Sequence, residues 1–285
     1  MNQLLDDLIK VMTLERLEMN LFRGESRDIG SPQVFGGQVL GQALVAATAT
    51  AEDRAVHSLH AYFLRRGDFN SPIVYEVDRA LDGKHFSSRR VVAIQHGRQI
   101  FNMSASFQLP ESGLDHQISM PDVPQPESLP DLEAHYRGVA DKLPAAARRI
   151  LEQKRPFEFR PVQPPDQLRR EKSAPVKYIW FRAVDRLADD QALHRGLLAY
   201  VSDFHLLDTA LKPHGISMIS PKLTIASIDH AMWFHRNARV DDWLLYAIDS
   251  PSASGARGFT RGSVFARDGR LVASAAQEGL IRIME

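Results

Sequence analysis

The chain has 285 residues, 44% apolar and 25% charged, with 35 basic and 35 acidic side chains and no cysteine. That is a globular composition without a net charge to draw it to nucleic acid or anionic membranes. The lack of thiols excludes disulfides, a cysteine nucleophile and thiolate metal sites. No run approaches the ~18 apolar residues of a membrane span. The start MNQLLDDLIK carries acids where a signal peptide is basic. The expectation is a cytoplasmic protein with neither nucleic-acid nor membrane partners.

The first strong helical pattern is GGQVLGQALVAATATA (36–51), rich in alanine and leucine, with small residues where a second backbone can approach. HSLHAYFLRRG (57–67) then reads as a strand, and QHGRQIFNMSASF (95–107) as strands about a turn at His96-Gly97. Proline is concentrated next: 11 of the 16 prolines lie between Pro110 and Pro175. PDVPQPESLP (121–130) cannot be regular structure, since each proline fixes φ and removes a donor. Between Asp131 and Gln153 the spacing of Leu132, Tyr136, Val139, Leu143, Ile150 and Leu151 predicts a crossover helix. The chain therefore divides into lobes at 1–109 and 176–285, joined by a connector at 110–175.

The second lobe repeats the first. A helical pattern, HRGLLAYVSDFHLLDTAL (194–211), precedes SIDHAMWFHRN (227–237), which aligns with 57–67 at an offset of 170. RDGRLVASAAQEG (267–279) aligns with 95–107 at an offset of 172, with Asp268-Gly269 read as a two-residue hairpin turn and His96-Gly97 as a weaker one. One helix followed by an antiparallel meander, twice over, predicts an α+β fold in which two sheets each wrap a helix and join edge to edge.

The chain lacks G-x-x-x-x-G-K-[ST], G-x-G-x-x-G and G-x-S-x-G, so phosphate loops, dinucleotide sites and the common serine-hydrolase elbow have no support. The histidine pairs His57/His60 and His230/His235 lack the H-E-x-x-H form. Strand alternation places each pair's rings on opposite faces, which predicts structural histidines and no metal.

VFGGQVLGQAL (34–44), HAYFLRRGD (60–68), SDFHLLDTALKPHG (202–215), IASIDHAMWFHR (225–236), SGARGF (254–259) and ASAAQEGLIR (273–282) together resemble the acyl-CoA thioesterase II family nearly end to end. The resemblance implies a double hotdog fold and an acyl-CoA substrate. A broad sheet that leaves helices or edges to cover predicts a homo-oligomer, and the lack of cysteine and of a helical histidine-carboxylate ligand set predicts hydrolysis without a metal or other cofactor. The resemblance also implies a bacterial-type cytoplasmic location, as the chain ends IRIME without an S-K-L address.

By motif, the family's catalytic set falls on Asp203, Ser227 and Gln277, with serine where the family has threonine. A thioester can be attacked by a held water once a base takes its proton. Asp203 is the implied base, and Ser227 and Gln277 hold the water. Gly36 and Gly37 are candidates for backbone oxyanion donors, equally readable as a loop before a helix. Arg65, Arg66, Arg89, Arg90, Arg257 and Arg261 are basic enough for coenzyme A phosphates, but none is assigned. A hotdog enoyl-CoA hydratase is the enzymatic alternative. Its D-x-N-P-L-H pattern is met at Asp189–His194 only in spacing. A non-enzymatic acyl-CoA sensor would need a DNA-binding appendage, and no basic helix-turn-helix segment is visible.

Overall fold

The computed structural model describes residues 2–31, 33–139, 141, 148, 153–163 and 171–284. Helix α1 (Gln3–Met12) starts at Asn2, whose side chain accepts from Leu4 N, and buries Leu5, Leu8 and Met12 along one stripe. Strands β1 (Glu15–Glu18) and β2 (Leu21–Gly24) precede α2 (Gly36–Thr48), which is buried on almost every side. Four long strands follow: β3 (Ala55–Phe63), β4 (Ile73–Asp82), β5 (Phe86–Gln95) and β6 (Arg98–Gln108). After α3 (Leu132–Val139) come β7 (Phe157–Pro161), β8 (Val176–Ala183) and α4 (Gln191–Ser202), the last capped by Asp190. A 3-10 helix (Leu207–His214) leads to β9 (Leu223–Ser227), β10 (Asp229–Phe234), β11 (Leu244–Ser254), β12 (Arg257–Ala266) and β13 (Leu271–Ile283).

The thirteen strands of the described residues form one antiparallel sheet in the order β1-β2-β4-β5-β6-β3-β10-β13-β12-β11-β8-β7, with β9 paired to β13. The seam is β3 against β10, where His60 faces Ala231 and Ala61 faces His230. Each half wraps one buried helix, and α2 and α4 pack against each other inside. Their approach depends on missing side chains. A Cβ at Gly41 would stand 3.1 Å from Gly196 O, and one at Gly37 would collide with Tyr200 O. These pairings show that the helices run antiparallel, so the start of α2 meets the end of α4. The α+β, helix-wrapping arrangement implied by the resemblance is present.

The proline-rich stretch does more than connect, since β7 forms the outermost strand beyond β8. Of the helical spacing read over 131–153, Leu132 and Tyr136 are buried in α3, while Leu143, Ile150 and Leu151 lie outside the described residues.

Three sequence readings are corrected in detail. First, the offset of 172 holds by face, because Ile100, Phe101, Met103, Ala105 and Phe107 are buried, as are Val272, Ala273, Ala275, Gln277 and Gly279. The offset of 170 does not. Burial falls on Leu59 and Ala61 in β3 but on His230 and Met232 in β10, so the counterpart of His230 is Leu59 at an offset of 171. A one-residue slip turns a side chain to the other face.

Second, His57 and His60 share the outward face. The β3–β6 register shifts between Val56 and Ser58, leaving His57 on a bulge where its Nε2 meets Ser106 Oγ at 2.8 Å, while His60 packs edge-on to the outward Trp233. Third, His96 and Gly97 form the two-residue turn, both at positive φ. The other hairpin has three residues, 267–269, closed by Ala266 N to Arg270 O, with Gly269 at φ 91°.

Candidate active site

Three elements converge where α4 ends. Asp203 is the C-terminal cap of α4, with φ −78° and ψ −13°. The antiparallel packing of the helices brings it to the first turn of α2, where a Cβ at Gly36 would lie 2.8 Å from Asp203 Oδ2. The peptide N–H groups of a helix's first turn lack intrahelical acceptors and carry partial positive charge, an environment suited to a carboxylate. Gln277 points inward from the middle of β13 and is buried.

Ser227 reaches the same point through a bulge. It pairs with Gly279, whereas Ala231 pairs with Ala276, so the strand carries one extra residue at Ile228. The extra residue is held by Asp229, whose Oδ1 accepts from Glu278 N at 2.6 Å. Without a bulge, Ser227 and His230 would face opposite sides of the sheet. With it, both face Gln277.

The amide nitrogen of Gln277 is the hub. Nε2 lies 2.6 Å from Asp203 Oδ1, 3.1 Å from Ser227 Oγ and 3.3 Å from His230 Nδ1. The three residues implied by the resemblance are thus brought together. Gln277 Oε1 is buried and has no hydrogen-bond partner among the described residues. Behind the hub, His230 Nε2 is 3.0 Å from Ser202 Oγ, and the Tyr246 hydroxyl donates to Ser202 O at 3.0 Å, pinning the residue before Asp203. Burial depresses the His230 pKa, with Asp203 and Asp229 offsetting this in part. Burial chiefly, and then Asp203, push Tyr246 well above the phenolic range. Both groups are therefore neutral at pH 7.

A cleft of about 200 Å³ opens beside the hub, bounded by Gly36, Val39, Phe63, Arg65, Arg66 and Ser227. Val39 and Phe63 stand there beside the polar Arg65, Arg66 and Ser227, a mixed lining that suits a ligand with both apolar and polar parts. Among the candidate arginines, Arg65 and Arg66 stand at this cleft. Arg89 is buried, bonded to Thr50 and Asp82, and cannot meet a ligand; Arg257 and Arg261 are paired with Glu278 and Asp249. Asp189 of the hydratase-like pattern is exposed and pairs with Arg239, and His194 packs against Val240 N, so that pattern assembles no site.

Sequence reading missed the participation of His230 and Tyr246. The repeat had paired His230 with His60 and suggested a shared structural role, and the one-residue slip in that alignment hid the difference. The other half of the molecule holds Val56, Leu59 and Ala105 where this half holds Ser227, His230 and Gln277. Its corresponding space is occupied by Arg89, which pairs in register with Ala105 and donates to Thr50 O just beyond the end of α2. No cluster of histidine and acidic side chains arranged to hold a metal ion is found among the described residues. None of the described helices is long and apolar enough to cross a membrane.

Comparison with known proteins gives consistent matches. Residues 147–280 match the family model described as acyl-CoA thioesterase, and residues 23–108 match that of the acyl-CoA thioesterase N-terminal domain. The chain is 43% identical to acyl-CoA thioesterase 2 of Haemophilus influenzae over the whole of both chains. It is 42% identical to human acyl-coenzyme A thioesterase 8, covering 96% of this chain and 88% of that one. The crystal structure of an acyl-CoA thioesterase II from Mycobacterium marinum superposes with a TM-score of 0.79 at 40% identity, covering 97% of each chain. A hot dog fold protein from Alicyclobacillus acidocaldarius, 18% identical, superposes with a TM-score of 0.76 over 98% of this chain and 99% of that one, a likeness of fold.

Proposed function

The chain belongs to the acyl-CoA thioesterase family, and from that premise we propose that it hydrolyses fatty acyl-CoA to fatty acid and coenzyme A with a water activated by Asp203. The observation that supports this reading is the meeting of Asp203 and Ser227 on the Gln277 amide at 2.6 and 3.1 Å beside the cleft. Asp203 Oδ2 and Ser227 Oγ hold the water, and Gln277 Oε1 is a third group able to bond it.

As the water oxygen attacks the thioester carbonyl carbon, its proton passes to Asp203. The resulting oxyanion is stabilised by first-turn N–H groups of α2 at Gly36 and Gly37. Collapse of the tetrahedral intermediate breaks the C–S bond, and the proton held by Asp203 returns to the leaving thiolate. No covalent enzyme intermediate is needed.

Asp203→Asn tests the reading, because the amide keeps the shape but cannot take the proton. A general base contributes about 10²–10⁴-fold, so a loss of that order in kcat with little change in KM is expected in release of free thiol from acyl-CoA. A folded variant with near-full kcat places the base elsewhere. The reading includes self-association, supported by the exposed aromatic rings of Tyr62 and Trp233 on the outward face of the sheet. Sedimentation of only a 32.0 kDa species would reject that part.

A further inference from the structure

We infer that His230 is a positioning residue for this hydrolysis: as a neutral ring protonated on Nε2, it accepts from Gln277 Nε2 and fixes which end of the amide faces Asp203. The inference rests on the reading of Asp203, Ser227 and Gln277 as the catalytic set.

The direction of each bond follows from one group that can only accept. Ser202 Oγ lies 2.9 Å from Ala199 O, a carbonyl, so the hydroxyl proton points there. Ser202 Oγ then offers a lone pair to His230 Nε2 at 3.0 Å, and that nitrogen must carry the proton. In a neutral ring Nδ1 is consequently bare, and it faces Gln277 Nε2 at 3.3 Å as an acceptor. The amide has two protons for three acceptors, so one is shared, and its nitrogen is held toward Asp203 Oδ1 at 2.6 Å. The opposite rotation would set Oε1 against a carboxylate oxygen and the amide protons away from both, leaving buried acceptors facing each other.

A second observation separates this role from packing. Leu59 occupies the related position in the other half and is buried like His230, so the fold accepts an apolar side chain there. In that half the position of Gln277 is held by Ala105, and there is no amide to orient. Histidine and glutamine occur together in the one half that carries Asp203 at the end of its buried helix.

The test compares His230→Leu, His230→Asn, Ser202→Ala and Asp203→Asn in kcat and KM, and reads the imidazole ¹⁵N shifts of His230 in the unmutated protein. Asparagine places Oδ1 where Nδ1 stood and restores the acceptor. His230→Leu should lose about 10–100-fold in kcat at nearly constant KM, the scale of a misplaced reacting group. His230→Asn should recover to within about threefold, and Ser202→Ala should fall between the two. The ¹⁵N shifts should show a neutral ring protonated at Nε2.

A ring protonated at Nδ1, a folded His230→Leu with unaltered kcat, or His230→Asn as impaired as His230→Leu would each overturn the inference. If His230→Leu does not fold, the spectrum and Ser202→Ala still decide it: Nε2 protonation with lowered kcat supports it, and full kcat in Ser202→Ala opposes it. Near-full activity in Asp203→Asn would instead remove the underlying reading, an outcome distinct from any given by the His230 variants.

Discussion

Gly36 and Asp203 are in mutual contact across the meeting of two helix ends, with the site of a Cβ on Gly36 only 2.8 Å from Asp203 Oδ2. The glycine is required by the carboxylate, whereas its helix would favour alanine by up to ~1 kcal/mol on propensity. A Cβ would also stand 3.0 Å from the Phe63 ring, so Gly36→Ala should displace Asp203 and lower kcat by about tenfold or more while the melting temperature stays level or falls slightly. Unchanged kcat would show that Asp203 has room to spare. Measuring both quantities on one preparation separates catalytic from structural harm.

Ser227 stands at the cleft and touches the Gln277 amide at 3.1 Å. The resemblance implies threonine at this position, and its added methyl restricts the hydroxyl without removing it. Ser227→Thr should hold or raise kcat, and Ser227→Ala should lower it by less than Asp203→Asn does. In the proposed mechanism the groups share one water, so Ser227→Ala added to Asp203→Asn should cost much less than it does alone. Full additivity in steady-state kinetics would indicate that they act separately.

The bulge at Ile228 depends on Asp229, whose carboxylate accepts from Glu278 N. Asp229→Ala should relax the strand toward a regular register and turn Ser227 from the hub. The expected result is a fall in kcat of about tenfold, with a stability loss of about 1–2 kcal/mol from the lost charge-assisted bond. Urea titration and kinetics on the same variant check both. A stability loss with full kcat would show that other contacts keep the bulge.

Burial lowers the pKa of His230 below its ordinary 6.5, and that of His205 much further. Between the folded and unfolded pKa values the unfolded chain binds a proton that the native state refuses. Stability from these groups is thus flat above the unfolded value and falls as pH drops through 6.5 toward the folded values. The urea midpoint should be lower at about pH 5.5 than at about pH 7.5, and His230→Asn should weaken that dependence. An equal slope in the variant would assign the effect to other groups.

Much was legible in the sequence because it is periodic or local. The glycine-rich helix at 36–48, the strand alternation and the turn residues follow from backbone geometry alone, and the repeat indicated two helix-wrapping sheets. The pair Asp203 and Gln277 could be named from motifs, but their meeting at 2.6 Å requires the end of α4 to lie over the middle of β13.

What the tertiary structure decided turns on single residues of register. One extra residue at Ile228 puts Ser227 and His230 on the same side as Gln277, and a repeat aligned one residue out made His230 look equivalent to the exposed His60. Sequence patterns carry the period of a strand but not the place where a bulge breaks it, because that break is fixed by long-range bonds such as Asp229 to Glu278 N. The sequence by itself determined the elements and the residue types available for chemistry. Pairing between strands and the contact of two helix ends decided that one half of the molecule assembles them while Leu59, Ala105 and Arg89 fill the other.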